Sequence, residues 1–273
     1  MPGSSCGFPP TSRRAPGNCE RPAPGGWRCA GCPSADDPAL PPSQSISSSA
    51  SYANKETIRL NYERLYAYRF RDVDQGARTA VWEEIAPHVH RLMGSPSRVL
   101  DPAAGRGEFI EAIPAQERVA VDEVAYPEAD HSSGVRRITS KIQDAELPEG
   151  HFDGVFVSNF LEHLPSQESI SQFLEKMHAA MAPGGRIAIM GPNYRYCSKE
   201  YWDMADHIIA LTHLAIEEHL YTAGFEPERT IPRYLPYSFR GILPPSRRLT
   251  GFYLRMPLAW RLLGKQFLVI GRR

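Results

Sequence analysis

The chain has 273 residues, enough for one large domain with an ample core or for two small ones. Its 31 Lys and Arg balance 31 Asp and Glu, so no global field attracts nucleic acid or a phosphate-rich surface. No uninterrupted apolar run is long enough to span a bilayer and the N-terminus lacks a signal-peptide hydrophobic segment, which points to a soluble, cytoplasmic protein.

Residues 1–50 are dense in Pro, Gly and Ser and poor in large apolar side chains. Such a segment cannot repay the entropy of ordering and reads as a disordered, low-complexity tail. It holds Cys6, Cys19, Cys29 and Cys32, leaving Cys197 as the one free thiol of the globular part. Cys29 and Cys32 have the internal spacing of half a zinc site, but Cys6 and Cys19 are too irregularly placed to supply the usual second pair. No metal is expected there.

From residue 51 to 273 the composition is that of a single folded domain. Residues 51–94 form N-terminal helices, one over 52–70 and another over 77–92, the second with Val81, Ile85, Val89 and Leu92 at helical spacing. Pro87 predicts a kink or an early stop in it. Strands follow near 97–101, 118–122, 135–138, 152–158 and 185–190, alternating with helices. Ser166 opens a helix carrying Ile170, Phe173, Leu174, Met177 and Met181 on one face, closed before Pro183-Gly-Gly185. Thr212 caps a further helix ending at Gly224, and strands near 226–231 and 266–270 complete seven. Alternation at this spacing implies an α/β fold with a doubly wound, mostly parallel sheet.

The chemistry-bearing stretch is Arg98-Val-Leu-Asp-Pro-Ala-Ala-Gly-Arg-Gly-Glu-Phe109. A short apolar strand ends in Asp101, a turn of small residues follows, and a helix begins near Gly107. Small residues let the backbone approach a ligand at a helix N-terminus. A nicotinamide-dinucleotide fingerprint requires a third glycine where Ile110 stands. Val119-Ala-Val-Asp122 is a second apolar run ending in an acid, placed where it can hydrogen-bond ribose hydroxyls.

The turn resembles motif I of class I S-adenosylmethionine (SAM)-dependent methyltransferases, with Ala103 at the place of that pattern's first glycine. Further segments match in order. Gln143-Asp-Ala-Glu-Leu-Pro148 resembles the adenine-holding segment, implying that Asp144 accepts from the exocyclic amine and that the Ala145 amide faces the ring. The run 151–164 resembles the fourth strand and its loop, and Met181–Met190 the turn and fifth strand. The resemblance implies sheet order 3-2-1-4-5-7-6 with the last strand antiparallel. It implies SAM as cofactor, held by Asp101, Ala103, Gly105, Gly107, Asp122, Asp144, Ala145 and Asn159.

Because the methyl group of a sulfonium is already activated, the protein has mainly to position the acceptor and remove its proton. The loop after strand 5 is the richest source of such groups. It offers His207 as general base, with a pKa expected near 6.5, and Asp206 to orient it or act instead. Tyr201, Trp202, Arg233 and Tyr237 would line an acceptor pocket. His207 and His213 are six positions apart, a poor spacing for two ligands on one helix, so no metal is expected. His163 is expected to pack beside the cofactor.

Residues 234–264 exceed a simple hairpin between the last two strands. They read as a lid-like insertion, with membrane contact the less favoured reading because Pro257 breaks any long amphipathic helix. The segments near 233–237 and 264–267 resemble bacterial polysaccharide and natural-product methyltransferases. The expected reaction is O-methylation of a sugar or natural-product hydroxyl on a small-molecule acceptor. N- or C-methylation of a small or lipid-like molecule is the alternative, and a catalytically silent SAM-binding partner subunit is another. The Asn-Pro-Pro-Tyr type tetrapeptide of many nitrogen methyltransferases is replaced by Ser158-Asn-Phe-Leu161.

Overall fold

The structure, a computed structural model, describes residues 60–126, 134–237 and 246–273. The N-terminal tail with its four cysteines, residues 52–59 of the first expected helix, and residues 238–245 of the insertion lie outside the described residues.

Seven strands form one sheet in the order β3-β2-β1-β4-β5-β7-β6. They are β1 (Arg98–Asp101), β2 (Glu117–Asp122), β3 (Arg136–Thr139), β4 (Phe152–Ser158), β5 (Met181–Pro192), β6 (Glu226–Ile231) and β7 (Gln266–Arg272). The first five pair in parallel, and β7 runs antiparallel to both β5 and β6. This is the expected order and orientation. It makes β1 and β4 neighbours where the winding reverses, so a crevice opens beyond their carboxyl ends.

Among the described residues, two helices precede the sheet. α1 (Tyr62–Arg69) is capped by the Asn61 side chain, which accepts from the Arg64 amide. α2 (Gln75–Leu92) is capped by Asp74, which accepts from the Ala77 amide. Contrary to expectation, α2 runs unbroken through Pro87. The apolar stripe Val81, Trp82, Ile85, Ala86 and Val89 is buried against the sheet, and burial at about 1.5–3 kcal/mol per large side chain outweighs the roughly 3 kcal/mol that an interior proline costs.

The core lies on both faces. On one, α2 and α3 (Glu108–Ala112) cover Val99, Ala120, Phe156, Ala188 and Leu268. Phe109 stacks on Phe156 at 3.7 Å between ring centres, with Trp82 edge-on to both. On the other, α4 (Gln167–Ala180) and α6 (His213–Thr222) cover Leu100, Val119, Val155, Ile187 and Val269. Ser166 and Thr212 cap these two helices with their side-chain oxygens. A one-turn α5 (Tyr194–Cys197) follows β5.

The insertion folds as α7 (Arg247–Leu254) and α8 (Pro257–Leu263). Arg247 pairs with Glu83 and Glu84 of α2, at 2.8 and 2.9 Å. Trp260 packs edge-on against His88 and Tyr234. The described part of the expected lid is thus fastened along α2. It leaves Leu249, Phe252, Leu258, Leu262 and Leu263 exposed. No helix among the described residues is long and apolar enough to cross a membrane.

Candidate active site

At the end of β1 the chain turns through Gly105 (φ 54°) into Gly107 (φ 92°), the left-handed cap of α3. Only glycine adopts such angles without strain. A Cβ on Gly105 would meet nothing within 4 Å, so its backbone faces open space. Gly107 is required by its φ of 92°, while the Arg137 guanidinium that a Cβ there would approach at 2.7 Å is the end of a flexible side chain. The turn is braced from β2: Asp122 accepts from the Gly105 amide at 2.7 Å and from the Val124 amide at 2.9 Å. Burial pushes the Asp122 carboxyl up, opposed by those two amides.

Asp101 is 3% exposed, forms no ion pair among the described residues, and has the Ala103 amide 3.4 Å from its carboxylate. Burial pushes it up to about 8, the Ala103 amide working against that and the charges of Asp122 and Glu108 adding to it. A buried acid in that state favours a cationic ligand beside it.

Beside the turn lies a cleft of about 130 Å³ lined by Gly105, Asp122, Tyr126, Arg137, Ile138 and Thr139 among others. That is below the roughly 300–1,000 Å³ of a complete small-molecule pocket, and suits one portion of a larger ligand. Tyr126, Arg137 and Thr139 were not singled out from sequence. Ala145 and Asp144 are not among the residues of this cleft. The Ala145 amide, expected to face a ring, donates to the Lys141 carbonyl at 3.0 Å, while Asp144 is exposed. Asn159, at the end of β4, is exposed with φ 49° and donates its amide to Met190.

A second group of side chains gathers beyond β4 and β5. The Glu162 carbonyl accepts from the amides of Ile208 and Ile209 at 2.8 and 3.1 Å, and His163 Nδ1 donates to the Asp206 carbonyl at 2.8 Å. These bonds clasp the loop after β5 to the turn after β4. They bring Glu162, His163 and His207 together, with one ligand-type atom from each within 4.8 Å of the others. Glu162 is 2% exposed, and its Oε1 and His207 Nδ1 are buried without a hydrogen-bond partner.

The structure corrects several expectations here. His207 does not titrate near 6.5: burial first, then the neighbouring His163 and Arg69, lower it to about 4 despite Asp206. Asp206 neither orients His207 through its carboxylate nor stands ready as a base. Its side chain is fully buried and bound by Arg69 of α1 at 3.0 and 2.5 Å. Burial alone would raise the Asp206 carboxyl, but Arg69 and His163 hold it below the ordinary value. Tyr201 is a core residue, fully buried, donating to the Ile209 carbonyl at 2.5 Å and accepting from the Leu211 amide. Arg233 caps the end of α8, donating to the carbonyls of Gly264 and Leu262. Trp202 is exposed. Tyr237 reaches the cluster, its hydroxyl buried without a partner and its acidity depressed by burial and by nearby Cys197 and Glu162.

Sequence reasoning missed Tyr66 and Arg69. Tyr66 is held protonated by burial, with the charges of Asp206 and Asp122 both acting on it. Its phenol is therefore within electrostatic reach of an acid at the β2 end and of one in the loop after β5. The available signal was the recurrence of Tyr62, Tyr66 and Phe70 at four-residue spacing, whose rings follow one another at 6.2 Å.

A family model described as a methyltransferase domain matches residues 77–230. The chain belongs to this methyltransferase family. Three solved structures illustrate the shared fold. A SAM-dependent methyltransferase from Archaeoglobus fulgidus is 19% identical, covering 78% of this chain and 100% of its own, at TM-score 0.50. The N-methyltransferase NodS from Bradyrhizobium japonicum, in complex with S-adenosyl-L-homocysteine, is 16% identical, covering 78% and 97%, at 0.50. A chain from the complex between the Haloferax volcanii Trm112 methyltransferase activator and a methyltransferase is 15% identical, covering 79% and 99%, at 0.55. Among curated proteins nothing matches the chain. The methyltransferase is an enzyme and its cofactor is SAM. The open backbone at Gly105 and the buried Asp101, raised mainly by burial, fit a nucleoside bearing a cationic tail.

Proposed function

We propose that this methyltransferase acts on a small molecule, at a hydroxyl oxygen of a sugar or natural product. One observation carries the reading. Tyr66 feels the charges of both Asp122, which lines the cleft beside the β1 turn, and Asp206, whose carbonyl holds His163 of the Glu162–His163–His207 group rich in lone pairs. When bound, SAM supplies a methyl group already activated for in-line displacement. Asp101 would face its cationic portion, and Asp122, Gly105 and Ala103 its nucleoside, with Gly107 fixing the turn. Asp144, Ala145 and Asn159 would flank the cofactor rather than grip it. The acceptor would enter past Trp202 and Tyr237, and its proton would leave through the His163–His207 side. His207, kept neutral, has a lone pair for that task. Incubation with methyl-labelled SAM and a panel of sugars, phenols and amines tests this. The reading expects label in methyl ethers; label confined to amines would refute it.

A second reading has its own observation. Leu249, Phe252, Leu258, Leu262 and Leu263 are exposed on α7 and α8 beside Arg248, Arg255 and Arg261. Apolar side chains among arginines suit an anionic lipid surface, which would favour a lipid-like acceptor. Co-sedimentation with vesicles containing phosphatidylglycerol supports this reading, and equal recovery without vesicles removes it.

A further inference from the structure

The Glu162 carboxyl is buried beside His163, whose Nε2 stands 3.9 Å from its Oε1, and that oxygen accepts no hydrogen bond among the described residues. Arg69 is spent on Asp206. Three polar atoms in this one neighbourhood, Glu162 Oε1, His207 Nδ1 and Tyr237 Oη, are buried without a hydrogen-bond partner. Buried polar groups are rarely left so unless something binds them.

We propose that Glu162, His163 and His207 hold one divalent transition-metal ion, through a carboxylate oxygen, Nε2 and Nδ1 respectively. The inference rests on the reading of this group as the acceptor site. His163 Nδ1 donates to a backbone carbonyl, which fixes the tautomer and leaves Nε2 with its lone pair, 3.9 Å from Glu162 Oε1. Such an outer hydrogen bond is what orients a ligating imidazole. The rings of His163 and His207 stand 5.1 Å apart. A spread of 4.8 Å among the three ligand atoms closes by side-chain rotation onto metal bonds of about 2.0–2.2 Å. The two bonds from Ile208 and Ile209 to Glu162, with that from His163 to Asp206, pin both ligand-bearing segments beforehand.

Two imidazoles and one carboxylate suit zinc, manganese or iron, and leave coordination positions vacant for an acceptor. With the ion bound, His207 Nδ1 is a ligand in place of a base, and the ion gives the acceptor hydroxyl a Lewis acid. Its O–H proton passes to solvent, the oxygen forms a bond to the methyl carbon, and the carbon–sulfur pair returns to sulfur as a neutral thioether.

The test uses the full chain, dialysed against chelator and titrated with MnCl₂ by calorimetry. Manganese is chosen because the thiolates of the N-terminal segment prefer zinc. One equivalent should bind. Glu162→Gln and His163→Gln should each weaken binding at least about 10- to 100-fold, and SAM affinity should stay unchanged in the stripped parent. No saturable binding by the parent, or undiminished binding by both variants, overturns the centre. SAM binding without metal binding sinks the centre alone. Metal binding lost in both variants, in a chain that fails to bind SAM, upholds the centre and sinks the methyl-transfer reading instead.

Discussion

Arg69 and Asp206, 137 positions apart, form a two-point ion pair that ties α1 to the loop after β5. Asp206 is fully buried there and its carbonyl holds His163, so the pair helps to position the group proposed to face the acceptor.

Removing one partner leaves an uncompensated buried charge, which costs about 3–5 kcal/mol. Arg69→Ala should therefore lower unfolding stability by about 3 kcal/mol in urea titration. Arg69→Met combined with Asp206→Leu should recover most of it. A double variant no more stable than Arg69→Ala would show that the pair is not what Asp206 depends on.

Asp101 gives the methyltransferase a pH signature. Its folded pKa is raised from 3.8 to about 8 by burial, so the folded state keeps a proton that the unfolded chain gives up. The stability attached to Asp101 is complete below about pH 4 and is lost as pH rises through about 8. A cationic ligand lowers that pKa, so SAM binding near pH 7 should release a proton and tighten as pH rises toward 8. Binding enthalpies measured in phosphate and in Tris should differ by the buffers' ionisation heats. Equal enthalpies would remove Asp101 from the site.

Tyr201 tests the boundary between pocket and core. Its hydroxyl serves the Ile209 carbonyl and the Leu211 amide, so Tyr201→Phe strands two buried groups at about 1–3 kcal/mol each. Thermal unfolding should fall accordingly. A raised acceptor KM at unchanged stability would return Tyr201 to the pocket.

Deleting residues 1–45 should leave the melting temperature and SAM affinity unchanged, because both faces of the sheet are covered by residues beyond 60. A substantial drop in melting temperature would mean that this segment packs on the fold.

Of the proposed site, the residues assigned to the cofactor were legible in the sequence, and those assigned to the acceptor largely were not. Asp101, Gly105 and Gly107 act through local backbone geometry within one strand–turn–helix, and Asp122 ends the next strand. Local pattern carries that much. The loop after β5 has no pattern of its own and takes its shape from the Glu162 carbonyl and from Arg69. Thus Tyr201 and Arg233 read as pocket residues although distant carbonyls occupy them, and Glu162, a buried acid, reads as a loop residue. His207 was found by residue type, while its lowered basicity comes from burial that only the fold creates.

The central claim, that the β1 turn holds the cofactor while the cluster beyond β4 and β5 handles the acceptor, is tested most directly by titrating SAM into two folded variants. Gly105→Val places a branched side chain at φ 54°, where the backbone faces open space. It should weaken SAM at least about tenfold, or about 1.4 kcal/mol. His207→Ala should keep SAM affinity within about twofold of the parent, a lost general base or metal ligand being felt in turnover, typically by 10²–10⁴-fold. Parent-like SAM affinity in Gly105→Val would contradict the account.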